Sequence, residues 1–363
     1  MGAPLEVTAL ELAPPEAGEV LVRLRASGVC HSDLNAIDGT APTRCPAVLG
    51  HEGAGVVEQV GDGVRGLDPG TPVVLSWLPA CGRCEECLRE LGHLCSTAWE
   101  GMASGGLLDG RPRLSRAGDP VYHYSFLSSF AERAVVPARC CVPIPHDVPF
   151  EIAALVGCAI TTGTGAVWRT AAVRPADRVC VIGCGGVGMS AVMGAAAVGA
   201  DPIVAVDLVD EKLEAALPLG ATHAVRWAGS AEATAERVRT VSGGGVDYAF
   251  EATGRTEAGL AAFLCTRARG AAVLIGIPAA DAVLALPALP IPRLERRVLG
   301  SLYGSARPER DFPALLALYR RGRLPLDRLT ARRLPLEAVE EAFELLRAGT
   351  AGRVVLDMNG GRS

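Results

Sequence analysis

The run Arg178-Val179-Cys180-Val181-Ile182-Gly183-Cys184-Gly185-Gly186-Val187-Gly188-Met189 decides the architecture of the second half of the chain. A short β-branched strand ends at a G-x-G-x-x-G turn, and a helical run over 189–198 follows at once. Gly183 permits the tight turn, Gly185 lets a pyrophosphate approach the backbone, and Gly188 lets helix and strand pack closely. The helix N-terminus then presents free N–H groups to an anion. The next strand, 203–206, ends at Asp207, at the expected distance of about 20 residues beyond the turn. An acid there accepts bonds from ribose hydroxyls and repels a 2′-phosphate, so the stretch predicts NAD over NADP.

Outward from this turn the texture repeats. Helices are expected at 211–217, 231–241 and 257–264, with strands at 223–225, 246–251 and 272–275. Alternating βα units give a parallel sheet covered by helices on both faces. The N-terminal part reads differently. Residues 19–27 alternate apolar and polar as a half-buried strand does. The turns Gly61-Asp62-Gly63 and Asp68-Pro69-Gly70 break up further β-rich segments. That part reads as a small irregular barrel, with 103–123 a polar, Gly-rich surface excursion. After Tyr303, amphipathic helices at 309–321 and 336–347 and a strand at 353–357 return the chain to this first module.

Two groups of residues offer metal chemistry. Cys81, Cys84, Cys87 and Cys95 are spaced C-x2-C-x2-C-x7-C, close enough to surround one ion from a single loop. A closed shell of four thiolates has no place for substrate, which points to structural zinc; an iron–sulfur cluster is the other occupant such a set suits. The second group is looser: Cys30 and Asp33 in Gly28-Val29-Cys30-His31-Ser32-Asp33, His51 and Glu52 in Gly50-His51-Glu52, and the distant Cys158. Cys, His and Cys would leave zinc one open position, as a catalytic site does. Taken alone, Cys30 and His51 fit ordinary buried residues equally well.

Composition narrows the class. At 363 residues, with 49% hydrophobic and 21% charged content, the chain suits a globular protein of two domains. A net charge of −5 without a basic block argues against nucleic-acid and membrane-surface partners. The first 20 residues carry acids and prolines and do not read as a signal peptide. The apolar tract 270–292 is interrupted by Gly276, Pro278, Asp281, Pro287 and Pro290, so two short buried strands joined by a turn are expected there, not a membrane span. A cytoplasmic location follows, and the twelve cysteines belong with metal or redox chemistry and not with disulfides. Lys212 is the only lysine among 35 basic residues, a bias that suits a high-GC genome.

With these motifs in place, the chain resembles the zinc-containing medium-chain alcohol dehydrogenases from about residue 19 to residue 358. Within them it is similar to the class-III-like bacterial branch, which includes mycothiol-dependent formaldehyde dehydrogenases. Tyr303-Gly304-Ser305-Ala306-Arg307-Pro308-Glu309-Arg310-Asp311-Phe312-Pro313 and Gly322-Arg323-Leu324-Pro325-Leu326-Asp327 carry that likeness. The resemblance implies an α/β protein. A GroES-like β-rich catalytic domain would span 1–159 and 302–363, with a structural-zinc lobe at 81–95. A Rossmann doubly wound parallel-sheet NAD domain would span 160–301.

The resemblance also implies roles. Cys30, His51 and Cys158 would bind the catalytic zinc, with Glu52 an inner-sphere carboxylate that helps exchange the fourth ligand. Asp33 would fix the His51 tautomer. Cys81, Cys84, Cys87 and Cys95 would hold the structural zinc. His31, Gly183, Gly185, Gly186, Val187, Gly188, Asp207, Lys212, Ile277 and Arg353 would contact NAD. Trp77, Tyr124, Ile277 and Tyr303 would lie near the substrate. Ser32 would take the proton from a primary alcohol whose hydride passes to NAD, with zinc as Lewis acid. Asn35 stands where many relatives carry a relay histidine. It cannot act as a base, so water, the ribose hydroxyls or His31 would carry the proton onward. The rival readings are an S-(hydroxymethyl)mycothiol dehydrogenase, a biosynthetic aldehyde reductase and a catalytically silent NAD-binding relative. The expected assembly is a homodimer or a tetramer, acting on a small alcohol or aldehyde.

Overall fold

The computed structural model describes residues 5–41, 43–349 and 352–358. The chain divides into two compact units, one of Met1–Cys158, Arg307–Arg320 and Thr330–Ser363, the other of Ala159–Ala306 and Arg321–Leu329. Where the sequence leads one to expect a single return at 302, the chain leaves the second unit at 307 and re-enters it for 321–329.

The first unit is built on a seven-stranded sheet. Its order is Thr330–Pro335, Arg353–Asp357, Glu19–Gly28, Glu52–Val60, Pro72–Leu75 and Cys141–Pro143, with Arg133–Pro137 also paired to Glu19–Gly28. Glu19–Gly28 is buried along nearly its whole length, as a central strand must be. Its register sets the chemistry: Gly28 lies opposite Glu52 on one side and opposite Val355 on the other. The chain ends that carry Cys30, His51 and Arg353 therefore meet at one rim of the sheet.

Residues 103–123 are more ordered than their polarity suggests. Leu114–Arg116 and Asp119–His123 join Glu11–Leu12 and Ala47–Val48 in a four-stranded sheet. Arg113 is buried there, its guanidinium bonded to Glu19 and Asp109. His123 accepts the backbone N–H of Arg113 at Nε2 and shares a hydrogen bond with Ser128 at Nδ1. Burial and then the Arg113 charge hold its pKa down to about 4. His123 is therefore neutral when folded but takes up a proton below about 6.5 when unfolded. The unfolded chain binds more protons between those values, so stability is full above pH 6.5 and falls as the pH drops toward 4. The loss amounts to about 3 kcal/mol at about 1.4 kcal/mol per pH unit. Denaturant midpoints between pH 7 and 4 should fall less steeply in His123→Gln than in the parent; equal slopes would refute this.

The second unit is a six-stranded sheet, every neighbour pair parallel, ordered His223–Arg226, Ile203–Asp207, Val179–Ile182, Val246–Glu251, Thr266–Leu274 and Arg297–Gly300. Read in chain order this is 3-2-1-4-5-6, the doubly wound arrangement whose switch point flanks the first strand. Cys180, Ile182, Val204, Val206, Ala249, Phe263 and Ala272 form its buried core with the covering helices. The helix at 231–241 has the expected bounds; the one after the glycine turn begins earlier, at Gly186. The sixth strand is an addition that the sequence pattern does not announce.

The tract 270–292 departs from expectation. It supplies only the end of Thr266–Leu274, then runs as loop and turn to the short helix Pro290–Leu294, with Val283 81% exposed. Its prolines remove ladder donors. Among the described residues the helix long and apolar enough to cross a membrane is Phe150–Thr170, and 83% of its apolar window is buried, as in a core helix. Around Cys158 it widens into a π-helical turn, Val156–Ile160, a distortion common at functional sites.

Candidate active site and metal centres

Cys30 follows the central strand directly and caps the helix His31–Asp38. Asp33, fully buried in the first turn, accepts the backbone N–H of Cys30 at 3.2 Å and of Gly50 at 3.0 Å. The same carboxylate lies 3.1 Å from His51 Nδ1. Nδ1 must then carry the proton, which leaves the Nε2 lone pair free. That atom is buried without a hydrogen-bond partner, as is Glu52 Oε1. Ligand atoms of Cys30, His51, Glu52 and Cys158 all lie within 4.8 Å of one another. Two thiols, a tautomer-fixed imidazole and a carboxylate fit zinc in donor type and number. The Nε2 lone pair, buried and without a hydrogen-bond partner, is available to a proton or to the metal ion that replaces it.

The electrostatics agree. The Cys158 thiol hydrogen-bonds to Cys30 and, with help from His51 and Arg353 and against burial, holds Cys30 well below the ordinary thiol range; Cys158 is raised. Burial pushes Glu52 up to about 7, opposed by the Arg353 charge. Burial disfavours the charged form of His51, but Asp33 and then Cys30 outweigh it and raise its proton affinity. The Cys30 thiolate, and Cys158 and Glu52 once deprotonated, are anionic donors out of water that a divalent cation would neutralise.

Arg353, expected at the cofactor pyrophosphate, is buried and its guanidinium is paired with Glu52 Oε2. Gly28 makes room for that pair, since a Cβ there would stand 2.0 Å from Glu52 Oε2. Ser32 lies half-buried in the first turn of its helix, its Oγ 3.9 Å from Cys30 Sγ. His31 is exposed and Asn35 half-buried on the same helix. Tyr124 stands edge-on to the His51 ring, centroids 5.7 Å apart. Trp77 packs edge-to-face on Trp99 at 6.1 Å, and Trp99 is 39% exposed. Sequence reasoning does not single out Trp99; its place one turn past Cys95 is the available signal.

Cys81, Cys84, Cys87 and Cys95 also bring their sulfurs within 4.8 Å. Cys81–Cys87 and Cys84–Cys95 sulfurs are 4.0 and 3.7 Å apart. A tetrahedron of sulfurs around zinc has edges of about 3.8 Å, so the cage has the right size. Backbone N–H groups of Arg83 and Cys84 donate to Cys81 Sγ, and that of Cys81 donates to Cys95 Sγ, as thiolates require.

In the second unit, Gly183 has φ +95°, and a Cβ on Gly188 would stand 1.7 Å from the Gly183 carbonyl oxygen. Gly185 caps the helix Gly186–Val198, so Gly186, Val187 and Gly188 form its first turn. Asp207 accepts the Cys184 backbone N–H at 2.7 Å and those of Leu208 and Val209 at 2.8 and 3.0 Å. Its carboxylate braces the glycine turn and keeps lone pairs for hydroxyl donors. Lys212 is half-buried one helical turn on. Ile277 is exposed, whereas Tyr303 is 2% exposed.

Comparison with known proteins is consistent throughout. Residues 16–146 match the alcohol dehydrogenase GroES-like domain and residues 186–321 match the zinc-binding dehydrogenase family. An alcohol dehydrogenase zinc-binding domain protein from Burkholderia ambifaria is 36% identical with a TM-score of 0.94, covering 98% of this chain and 96% of its own. Benzyl alcohol dehydrogenase from Acinetobacter calcoaceticus is 32% identical with a TM-score of 0.93, at the same coverage of 98% and 96%. Alcohol dehydrogenase TADH from Thermus sp. ATN1 is 30% identical with a TM-score of 0.79, again over 98% and 96%. A buried Cys–His–Glu–Cys donor set, a four-cysteine cage and a doubly wound dinucleotide sheet thus occur on one chain whose whole length matches such enzymes. The chain belongs to the zinc-binding medium-chain alcohol dehydrogenase family and is an NAD(P)-linked oxidoreductase.

Proposed function

We propose that the chain interconverts primary alcohols and aldehydes with NAD(H), and that aromatic alcohols such as benzyl alcohol are its best substrates. The buried donor set Cys30–His51–Glu52–Cys158, with His51 Nε2 bared by Asp33, carries the reading. Zinc held by Cys30, His51 and Cys158 would supply Lewis acidity that lowers the pKa of an alcohol. Ser32 takes the hydroxyl proton, and Asp33 keeps His51 in one tautomer. Glu52, released in part from Arg353, helps exchange ligands. The turn Gly183–Gly188 and the helix behind it receive the pyrophosphate, Asp207 and Lys212 the adenosine ribose, with His31, Ile277 and Arg353 further contacts. Cys81, Cys84, Cys87 and Cys95 hold the structural zinc.

The aromatic preference draws on Trp77, Trp99 and Tyr124 beside the relative named for benzyl alcohol. A homodimer is the expected assembly, supported by the sheet-edge strand Arg297–Gly300 with exposed Val298. The test is NADH formation over a panel from ethanol to benzyl and cinnamyl alcohol. It is repeated with NADP, and with formaldehyde plus mycothiol. Turnover of benzyl alcohol with NAD supports the reading. Turnover only with the thiol adduct assigns the chain to the mycothiol-dependent branch instead, and equal rates with NADP remove the role given to Asp207.

A further inference from the structure

Immediately after Tyr124 the backbone does something costly. Ser125, Phe126 and Ser128 have φ of 51°, 62° and 51°, the left-handed region that residues with a Cβ enter only when surroundings compel it. Such strain concentrates at functional sites. The surroundings here are specific. Leu127 and Ser128 donate their backbone N–H groups to the Tyr124 carbonyl, and Phe126 and Leu127 are buried.

The loop then grips the segment that delivers His51. Tyr124, Phe130 and Ser129 donate backbone N–H groups to the carbonyls of Val48, Leu49 and Gly50 at 3.2, 2.9 and 3.0 Å. The Ser129 hydroxyl meets that of Ser27 at 2.7 Å, on the strand that leads to Cys30. The Tyr124 hydroxyl donates to the Ser32 carbonyl at 2.8 Å while its ring rests against His51. One strained loop therefore touches the approaches to Cys30 and His51 and the backbone of Ser32.

We propose that Tyr124 is a positioning residue for the alcohol oxidation: the loop 125–128, left-handed at Ser125, Phe126 and Ser128, holds its ring against the His51 imidazole and its hydroxyl on the Ser32 carbonyl, fixing Ser32 for proton transfer. The phenol proton is committed to the Ser32 carbonyl, so the hydroxyl acts through Ser32, whatever contact the ring makes with an aromatic substrate. The inference rests on Ser32 as proton acceptor, which the experiment tests separately.

The experiment is a double-mutant cycle on the zinc-loaded enzyme with NAD and benzyl alcohol, or the panel member turned over fastest. Tyr124→Phe keeps the ring and removes one oxygen. It should retain both zinc ions and the parent melting temperature, lower kcat about tenfold and leave KM within about twofold. In the Ser32→Ala background, where single-turnover NADH formation gives the rate, the same change should cost less than about twofold, because the group it positions has gone. Parent-like kcat in Tyr124→Phe, a raised KM at unchanged kcat, loss of zinc, or losses that add in the double variant would each overturn the positioning role. Ser32→Ala as active as the parent removes the proton-acceptor reading, and the proposal with it.

Discussion

Cys158→Ser is expected to leave a folded chain with one zinc ion in place of two and almost no turnover. Cys158 sits buried in the π-helical turn, and serine fills nearly the same volume, so packing changes little. The hydroxyl, however, does not ionise as a thiol does and is a harder, weaker ligand for zinc. The remaining Cys30, His51 and Glu52 would hold metal only loosely. Zinc's electrostatic contribution is several kcal/mol, and about 1.4 kcal/mol is tenfold in rate, so kcat/KM should fall about a thousandfold or more. Elemental analysis, melting temperature and NADH formation on one preparation check the three parts together. Two retained zinc ions with parent turnover would show that the catalytic metal lies elsewhere.

What makes this site readable from sequence is short spacing and chemical rarity. Gly183, Gly185 and Gly188 act through the backbone of one βα unit and Asp207 ends the next strand, so their positions along the chain already are their positions in space. The four-cysteine loop is legible for the same reason. Cys30, His51 and Cys158 are far apart in sequence, and only the register that sets Gly28 against Glu52 and Val355 joins the first two to Arg353. Arg353 shows the limit. Its partner Glu52 lies 301 residues away, and no local pattern announces a buried pair fitted into the space of an absent Gly28 side chain.

Polar segments mislead where burial is hidden. Arg113 lies in a stretch whose polarity suggests the surface, and its partner Glu19 is remote, yet both are buried. The left-handed residues Ser125, Phe126 and Ser128 carry no glycine to advertise the turn. The apolar tract 270–292 errs in the other direction, since its apolar composition suggests burial while its prolines forbid a second strand.

Cys95→Ser should act on stability before it acts on chemistry. Cys95 is fully buried, its sulfur accepts the Cys81 N–H and lies 3.7 Å from Cys84 Sγ, and it begins the helix Ser96–Ser104. The loop from Cys81 to Cys95 has little regular structure beyond Glu85–Leu88 and a turn at Gly92–Leu94, so metal binding there is in effect folding energy. Removing one thiolate should release the structural zinc and cost about 3–5 kcal/mol, hence about 10 °C in melting temperature. The catalytic zinc should remain, giving one ion per chain as in Cys158→Ser but with the opposite pattern of damage. Trp99, anchored one turn beyond Cys95 and packed on Trp77, loses its fixed base. If Trp77 and Trp99 line the substrate site as proposed, turnover of bulky alcohols should fall more than that of ethanol, because only the larger substrate reaches that pair. A variant that melts with the parent and binds two zinc ions would mean that three cysteines suffice and the cage is not what holds the lobe.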